Sequence, residues 1–428
     1  MTMQTNDQTI DHGNSHFCGI DFGTSNSTIG LFDNASPVLV ALEDNKLDMP
    51  STIFFDQYDG AFFGREAIER YIDGNQGRFM RSMKSVLGSS LMSTNVGSSS
   101  LQFERVIAIY IKELKIRAEQ DSDKQLTHAV IGRPVHFVDD NTFKDQQAQE
   151  SLEKAAKLAG FKEVSFQYEP IAAALAYEST LAHEELALII DIGGGTSDFT
   201  LIRLSPERGV KADRTADILA TTGVHVGGTD LDKQLSLKRV MPHFGYKAQN
   251  IHKPNMQLPV VPFSNFASWH LINTLYEKSS ILEIKDMRID IAEKHLIDRF
   301  IKVIERREAH RVALGVEAAK VGLSDNDAVS LNLDFVEQGF DIAVDKADFN
   351  HTIMDSCEKV VASMRDCMSQ AGVKPAEVAS VFLTGGTTSV DLFRSQLVTD
   401  FAHANIVDGD KFGSVGLGLT LHAEKVFR

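Results

Sequence analysis

Two stretches of the chain repeat one hydrophobic pattern. Residues 17–32 read FCGIDFGTSNSTIGLF and residues 187–204 read ALIIDIGGGTSDFTLIRL. In each, an apolar run ends at Ile-Asp, a break of glycine and small hydroxyl residues follows, and a second apolar run resumes. Apolar runs of this length bounded by turn residues predict buried strands joined by a tight connection. Asp21 and Asp191 lie 170 positions apart. That spacing is too long for a solenoid and suits two related lobes that face each other.

The rest of the chain alternates strands and helices, as an α/β protein should. HAVIGRP (128–134) predicts a strand, and a polar helix follows from about Asp140 to Leu158. EVSFQY (163–168) predicts a short strand that runs into Glu169-Pro170 and the helix IAAALAYEST. Pro170 suits the first helical turn, where its missing N–H costs nothing. VASVFLTGGTTSVDLFRSQL (378–397) predicts a strand, a Gly-Gly turn and a helix, and SVGLGLTLHAEKVFR a closing helix despite its glycines. Residues 234–315 are the least regular, with one long charged helix expected near 292–323.

Composition narrows the classes. The chain has 428 residues and a net charge of −16, which disfavours a general nucleic-acid or anionic-membrane binder. A polyphosphate bridged by a divalent cation stays open, because carboxylates and phosphates can share such an ion. Cys18, Cys357 and Cys367 give neither zinc spacing nor a disulfide framework, as a reducing cytoplasm permits. No run approaches the length of a membrane span, and residues 1–16 are polar and are expected to form a disordered tail.

The glycine turns carry the candidate chemistry. Gly23, Gly193, Gly194 and Gly195 let the backbone approach a ligand closely, and successive N–H groups there can cradle an anion. Thr24, Ser25, Thr196 and Ser197 add hydroxyls, while Asp21, Asp191 and Asp198 place acids at the turn mouths. Either turn alone could be a tight hairpin with Asp as turn former. Gly385-Gly386-Thr387 alone reads as an ordinary strand–helix connection. Neither a G-x-G-x-x-G fingerprint nor a G-x-x-x-x-G-K-[ST] loop is present, so a Rossmann dehydrogenase and a P-loop NTPase are poorly supported.

The motifs GIDFGTSNST, YEPIAAALAY, IIDIGGGTSD and FLTGGTT occur in this order. They resemble the phosphate-one, connect-one, phosphate-two and adenosine motifs of the actin-like ATPase superfamily. Within it the chain is most similar to the nucleotide-binding domain of DnaK-type heat-shock chaperones, and especially to the YegD-type chaperone-like proteins, which lack the peptide-binding half. AVIGRPVHF, HVGGTDLD, PSTIFF and FGREAIERY support the likeness.

The resemblance implies an α/β actin-like ATPase fold. Its two lobes would carry a duplicated ribonuclease-H-like core and inserted subdomains around a central nucleotide cleft. Lobe I would comprise 17–184 plus 404–428, with an insertion at about 48–125. Lobe II would comprise 185–403, with an enlarged insertion at about 229–346.

It also implies roles for single residues. Asp21, Glu169 and Asp191 would hold a hydrated Mg²⁺, and Lys84 with these acids would orient the attacking water. Gly23, Thr24, Ser25 and Asn26, with Gly193, Gly194, Gly195 and Thr196, would bind the phosphates of ATP or ADP, with Asp198 close behind. Gly228, Glu317, Lys320, Gly385, Gly386, Thr387 and Asp410 would surround the nucleoside. Without the resemblance, Lys84 would be read as a solvated helix lysine.

The implied function is a Mg²⁺-dependent, slowly hydrolysing, chaperone-like ATPase of the cytoplasm, a nucleotide-driven switch between open and closed lobes. Alternatives are an ATP sensor or scaffold with negligible turnover, a small-molecule kinase of the same superfamily, and a polymerising cytoskeletal ATPase. The sequence shows no partner motif, and no intrinsic peptide-binding domain is expected. Three departures from the chaperone pattern stand out. The stretch from Gly228 to Glu317 is longer, the segment 138–150 is longer, and Val321 stands where an arginine would stack on adenine.

Overall fold

The computed structural model describes residues 16–33, 36–89, 92–97, 99–138, 141–209, 211, 214–253, 255–408 and 413–428. The expected disordered tail lies, up to residue 15, outside the described residues, and so does Asp410.

Both repeated stretches form hairpins. The strand Phe17–Phe22 runs antiparallel to Asn26–Asp33, with Asp21 opposite Thr28. The strand Glu185–Ile192 runs antiparallel to Ser197–Leu204, with Asp191 opposite Asp198. Each Asp-bearing strand has a parallel neighbour on its other side, His128–Arg133 in the first sheet and Ser380–Thr384 in the second. Beyond these lie Glu163–Tyr168 and Asn405–Asp408, again parallel. The opposite edges are antiparallel strands, Ser36–Leu39 and Ile218–Val224. Strand order and sense therefore match across five strands of each sheet. Ile20, Leu188, Ile189 and Ile190 are almost wholly buried. Central strands covered on both faces must be apolar on both, which is why these runs read as continuous rather than alternating.

Two helices occupy the junction of the lobes. The helix Glu169–Glu178 places Ile171, Ala174 and Leu175 against Ile189, Ile202 and Phe382 of the second sheet. Its Ala172 meets Leu419 and Ala423 of the helix Ser414–Phe427, together with Phe17 and Val130 of the first sheet. The last strand, Asn405–Asp408, belongs to the second sheet, so the chain returns to the first after 408, later than the expected boundary at 404. At the end of the first of these helices, buried Glu178 accepts hydrogen bonds from Arg214 Nη1 at 2.7 Å and Nη2 at 2.8 Å, and from the Ser205 N–H at 2.9 Å. A bidentate, charge-assisted pair of this kind fixes orientation as well as distance.

The closing helix keeps its glycines for contact. A Cβ on Gly418 would lie 1.8 Å from the Ala172 carbonyl oxygen, and one on Gly19 would lie 2.3 Å from the Thr420 nitrogen. Glycine costs about 1 kcal/mol of helix propensity. Here that cost is outweighed by an approach of backbones that any side chain would prevent.

Each lobe carries an insertion. The first is a three-stranded sheet, Thr52–Asp56, Gly60–Phe63 and Gly77–Arg81, with the helices Gly64–Ile72 and Phe103–Ser122. The second is mainly helical and encloses Phe244, Phe263, Phe266 and Phe300. The single long helix expected near 292–323 is instead two, Lys294–Glu305 and Ala309–Asp325. Arg307 between them takes φ = 57° and its guanidinium lies over the Tyr276 ring. The Glu308 N–H bonds back to the Val303 carbonyl. Glu305 to Glu308 are ordinary helix residues, so the break is imposed by packing: Phe300 and Ile304 on one side and Ala309 and Val312 on the other all reach the same core.

Gly418→Ala gains about 1 kcal/mol of helix propensity and loses more to the clash with Ala172. A net destabilisation of about 2–3 kcal/mol is expected in urea unfolding.

Candidate functional site

The two glycine turns face each other across a cavity of about 560 Å³ between the lobes. A Cβ on Gly194 would fall 2.2 Å from Ser25 Oγ, so the turns approach as closely as glycine allows. Each turn is braced from behind. Ser51 Oγ donates to the Gly23 carbonyl at 2.7 Å, and the Ser51 N–H donates to the Ser25 carbonyl at 2.8 Å. In the second turn the Gly193 N–H bonds to the Thr196 carbonyl at 3.0 Å. The Gly193 carbonyl accepts from the Gly228 N–H at 3.0 Å and from Thr387 Oγ1 at 2.9 Å. Thr229 caps the Gly194 carbonyl through both its N–H and its hydroxyl. Carbonyls are thus engaged behind the turns, which leaves the cavity side to N–H groups and hydroxyls. Gly385 takes φ = 79°, and a Cβ there would stand 2.3 Å from the Ile192 carbonyl oxygen.

Every residue singled out from the sequence lines this cavity except Ser197, which is buried and donates its hydroxyl to the Val226 carbonyl, and Asp410, which lies outside the described residues. Lys84 is on a short 3₁₀ turn, Met83–Val86, and is nearly buried rather than solvated. Its Nζ donates to Glu169 Oε1 at 2.5 Å. Burial works against its charge, yet Glu169, Asp21 and Asp191 outweigh it and hold the ammonium above its ordinary range. The acids show the converse. Burial, then the charge of Glu169, pushes Asp21 up to about 7 and Asp191 up to about 6. Burial and the charge of Asp191 push Asp198 up to about 7, although Thr196 Oγ1 donates to it at 2.8 Å. Four carboxylates therefore share one ammonium. Such a floor repels a bare polyphosphate.

This donor set fits a hydrated Mg²⁺. All four acids offer hard oxygen, and their excess charge is what a dication would cancel. Among the described residues no three His, Cys, Asp or Glu side chains converge tightly enough to ligate one ion together. An ion retaining water and sharing phosphate oxygens suits that arrangement, since Mg²⁺ dehydrates reluctantly.

Three neighbours escaped the sequence reading. Asp232 pairs with Lys320 at 2.9 Å, and Lys320 Nζ also donates to the Gly228 carbonyl at 3.1 Å. Arg81 grips Glu317 with two hydrogen bonds, at 2.7 and 2.8 Å. Ser51 braces the first turn as described. Asp232 and Ser51 lay inside quoted motifs, HVGGTDLD and PSTIFF; Arg81 carried no local signal. Val321 is 59% exposed at the cavity rim.

The sequence model of the Hsp70 protein family matches residues 89–255 and 289–416. The chain belongs to the Hsp70 family, whose fold is the two-lobed actin-like ATPase fold. It is 26% identical to a protein named chaperone protein HscA homolog from Shewanella amazonensis (strain ATCC BAA-1098 / SB2B), across 95% of this chain and 58% of that protein. The chain thus spans less than two thirds of that relative's length. Residues 256–288, inside the second insertion, fall between the two matched segments. No helix among the described residues is long and apolar enough to cross a membrane.

Removing one of the four acids relieves repulsion in the ligand-free chain. Asp198→Asn is expected to raise its stability at pH 7.5 by about 1–3 kcal/mol, read as a higher Tm. An unchanged or lower Tm would argue that the acids are not in conflict.

Proposed function

We propose that this chain is a Mg²⁺-dependent, ATP-binding and slowly ATP-hydrolysing chaperone-like protein whose lobes close and open with the nucleotide. The observation that carries the reading is the facing pair of glycine turns, with Asp21, Glu169, Asp191 and Asp198 around Lys84. Residues 17–184 with the closing helix form lobe I in this reading, and 185–408 form lobe II. Membership of the Hsp70 family, which binds ATP and ADP, supports it.

The roles follow from charge and position. Phosphoryl transfer to water needs alignment and neutralisation more than covalent chemistry. The N–H groups and hydroxyls of Gly23–Asn26 and Gly193–Thr196 hold the phosphates from opposite lobes. Asp21, Glu169 and Asp191 would hold a hydrated Mg²⁺, which when bound would supply positive charge beside the phosphate oxygens. Lys84, kept protonated by its acids, donates toward the developing charge, and Asp191 orients the attacking water. Glu317, Lys320, Gly228 and the Gly385–Thr387 turn flank the nucleoside. Because the ligand contacts both lobes, ATP and ADP stabilise different degrees of closure. Three buried free thiols accord with a cytoplasmic location.

Single-turnover hydrolysis of ATP with Mg²⁺ tests this reading. Lys84→Ala and Asp191→Asn should each lower the rate about 100-fold, with ADP still bound. A rate unaffected by both would remove the catalytic assignment. Tight ATP binding without turnover in the unaltered chain would select the sensor reading.

A further inference from the structure

The cavity has two ends of different chemistry. The glycine turns, Lys84 and the four acids form one. The other is a wall built from the helix Ala309–Asp325 and the turn that follows the strand Ser380–Thr384. The two ends adjoin at Gly228. A Cβ there would lie 2.9 Å from Thr387 Oγ1, 3.2 Å from Lys320 Nζ and 3.7 Å from the Gly193 carbonyl oxygen. Glu317, Lys320, Val321 and Ser324 follow at helical spacing, so they share one face of the helix, and all four line the cavity. Ser389 and Val390 continue the wall from the turn.

The charged groups of this wall are already engaged. Lys320 is held by Asp232 at 2.9 Å and by the Gly228 carbonyl at 3.1 Å, and Glu317 is held by Arg81. Among the described residues no arginine lines the cavity. The one aromatic ring that does, Phe137, packs with the first lobe, and the Arg133 guanidinium lies over it. What remains is Val321 at the rim, the buried Val390, and the half-buried Ser324 and Ser389. Neither serine hydroxyl has a hydrogen-bond partner among the described residues. Asp325 is exposed where the helix ends.

We propose that this end of the cavity recognises a purine by its shape and not by the identity of its edge, so that guanine nucleotides are held about as well as adenine nucleotides, with Ser324 and Ser389 the residues that contact the base. Such recognition presupposes the nucleotide reading above. The valines offer dispersion contacts, which are the same for either purine. A hydroxyl both donates and accepts. By rotating its O–H it can donate to O6 of guanine or accept from the N6 amino group of adenine. The Asp325 carboxylate only accepts, and each purine has an amino group to offer it, N6 in adenine and N2 in guanine. A site rejects the wrong ligand strongly when that ligand would leave a committed donor or acceptor unpaired. Rotatable hydroxyls leave none unpaired. Uracil has a single ring and no amino group, so a uridine nucleotide should be held least.

Competition against a ribose-labelled fluorescent ADP, on the full chain with Mg²⁺, tests this. GDP should displace the label at a concentration within about five-fold of that needed for ADP, and UDP should need at least roughly twenty-fold more. Replacing both serines, Ser324→Ala with Ser389→Ala, should weaken ADP and GDP alike, each by about ten-fold, with the Tm of the ligand-free chain unchanged. A chain that binds no labelled ADP overturns the nucleotide reading and this recognition with it. Tight ADP binding with GDP more than about twenty-fold weaker overturns the purine inference alone, a ratio read in the unaltered chain without any variant. So does UDP that competes as well as GDP, or a double variant that spares both nucleotides or weakens only one.

Discussion

Four half-buried carboxylates around one ammonium are the constraint on which the rest depends. Asp21, Glu169, Asp191 and Asp198 would not stay together in water. They are held by two sheets, the first bringing Asp21 and the second the paired Asp191 and Asp198 to strand ends, and by a helix that delivers Glu169 between them. The raised acids and the strengthened Lys84 are two faces of one imbalance. A site of this kind is strained by charge, and a bound cation would relieve that strain. Binding energy and stability are therefore linked through the same atoms.

The architecture serves that constraint. The helices Glu169–Glu178 and Ser414–Phe427 touch through the Ala172 carbonyl and Gly418, so the lobes meet at a backbone contact with no side chain between. The Glu178–Arg214 pair anchors one of these helices to the second lobe, while the glycines anchor the other to the first sheet. The lobes are thus joined at the base and meet again at the insertions. There the contacts are aromatic, between Phe79 of the first and Trp269 of the second, and ionic, between Arg81 and Glu317.

Much of the site was legible because it is local. A strand, an Asp and a glycine turn occupy ten consecutive residues, and two such units with matching patterns point to a duplicated core. The strands at 128–133 and 163–168 and the closing helix 414–427 were legible for the same reason. Lys84 was legible only through family likeness, since MKSVLG reads locally as solvated. Its partner Glu169 is 85 positions away. Arg81 and Glu317 are 236 positions apart, and no local pattern joins them. The break at Arg307 escaped because its residues favour helix and only the shared core turns the chain.

The sequence by itself determined the strands, their central acids and the turns that can cradle phosphate, because these depend on periodicity and on backbone freedom within a few residues. The tertiary structure alone decided that four acids share one lysine, that the closing helix can keep its glycines, and that the sole tryptophan bridges the cleft. Those are consequences of burial and of contact between distant segments, and charge and packing act through space rather than along the chain.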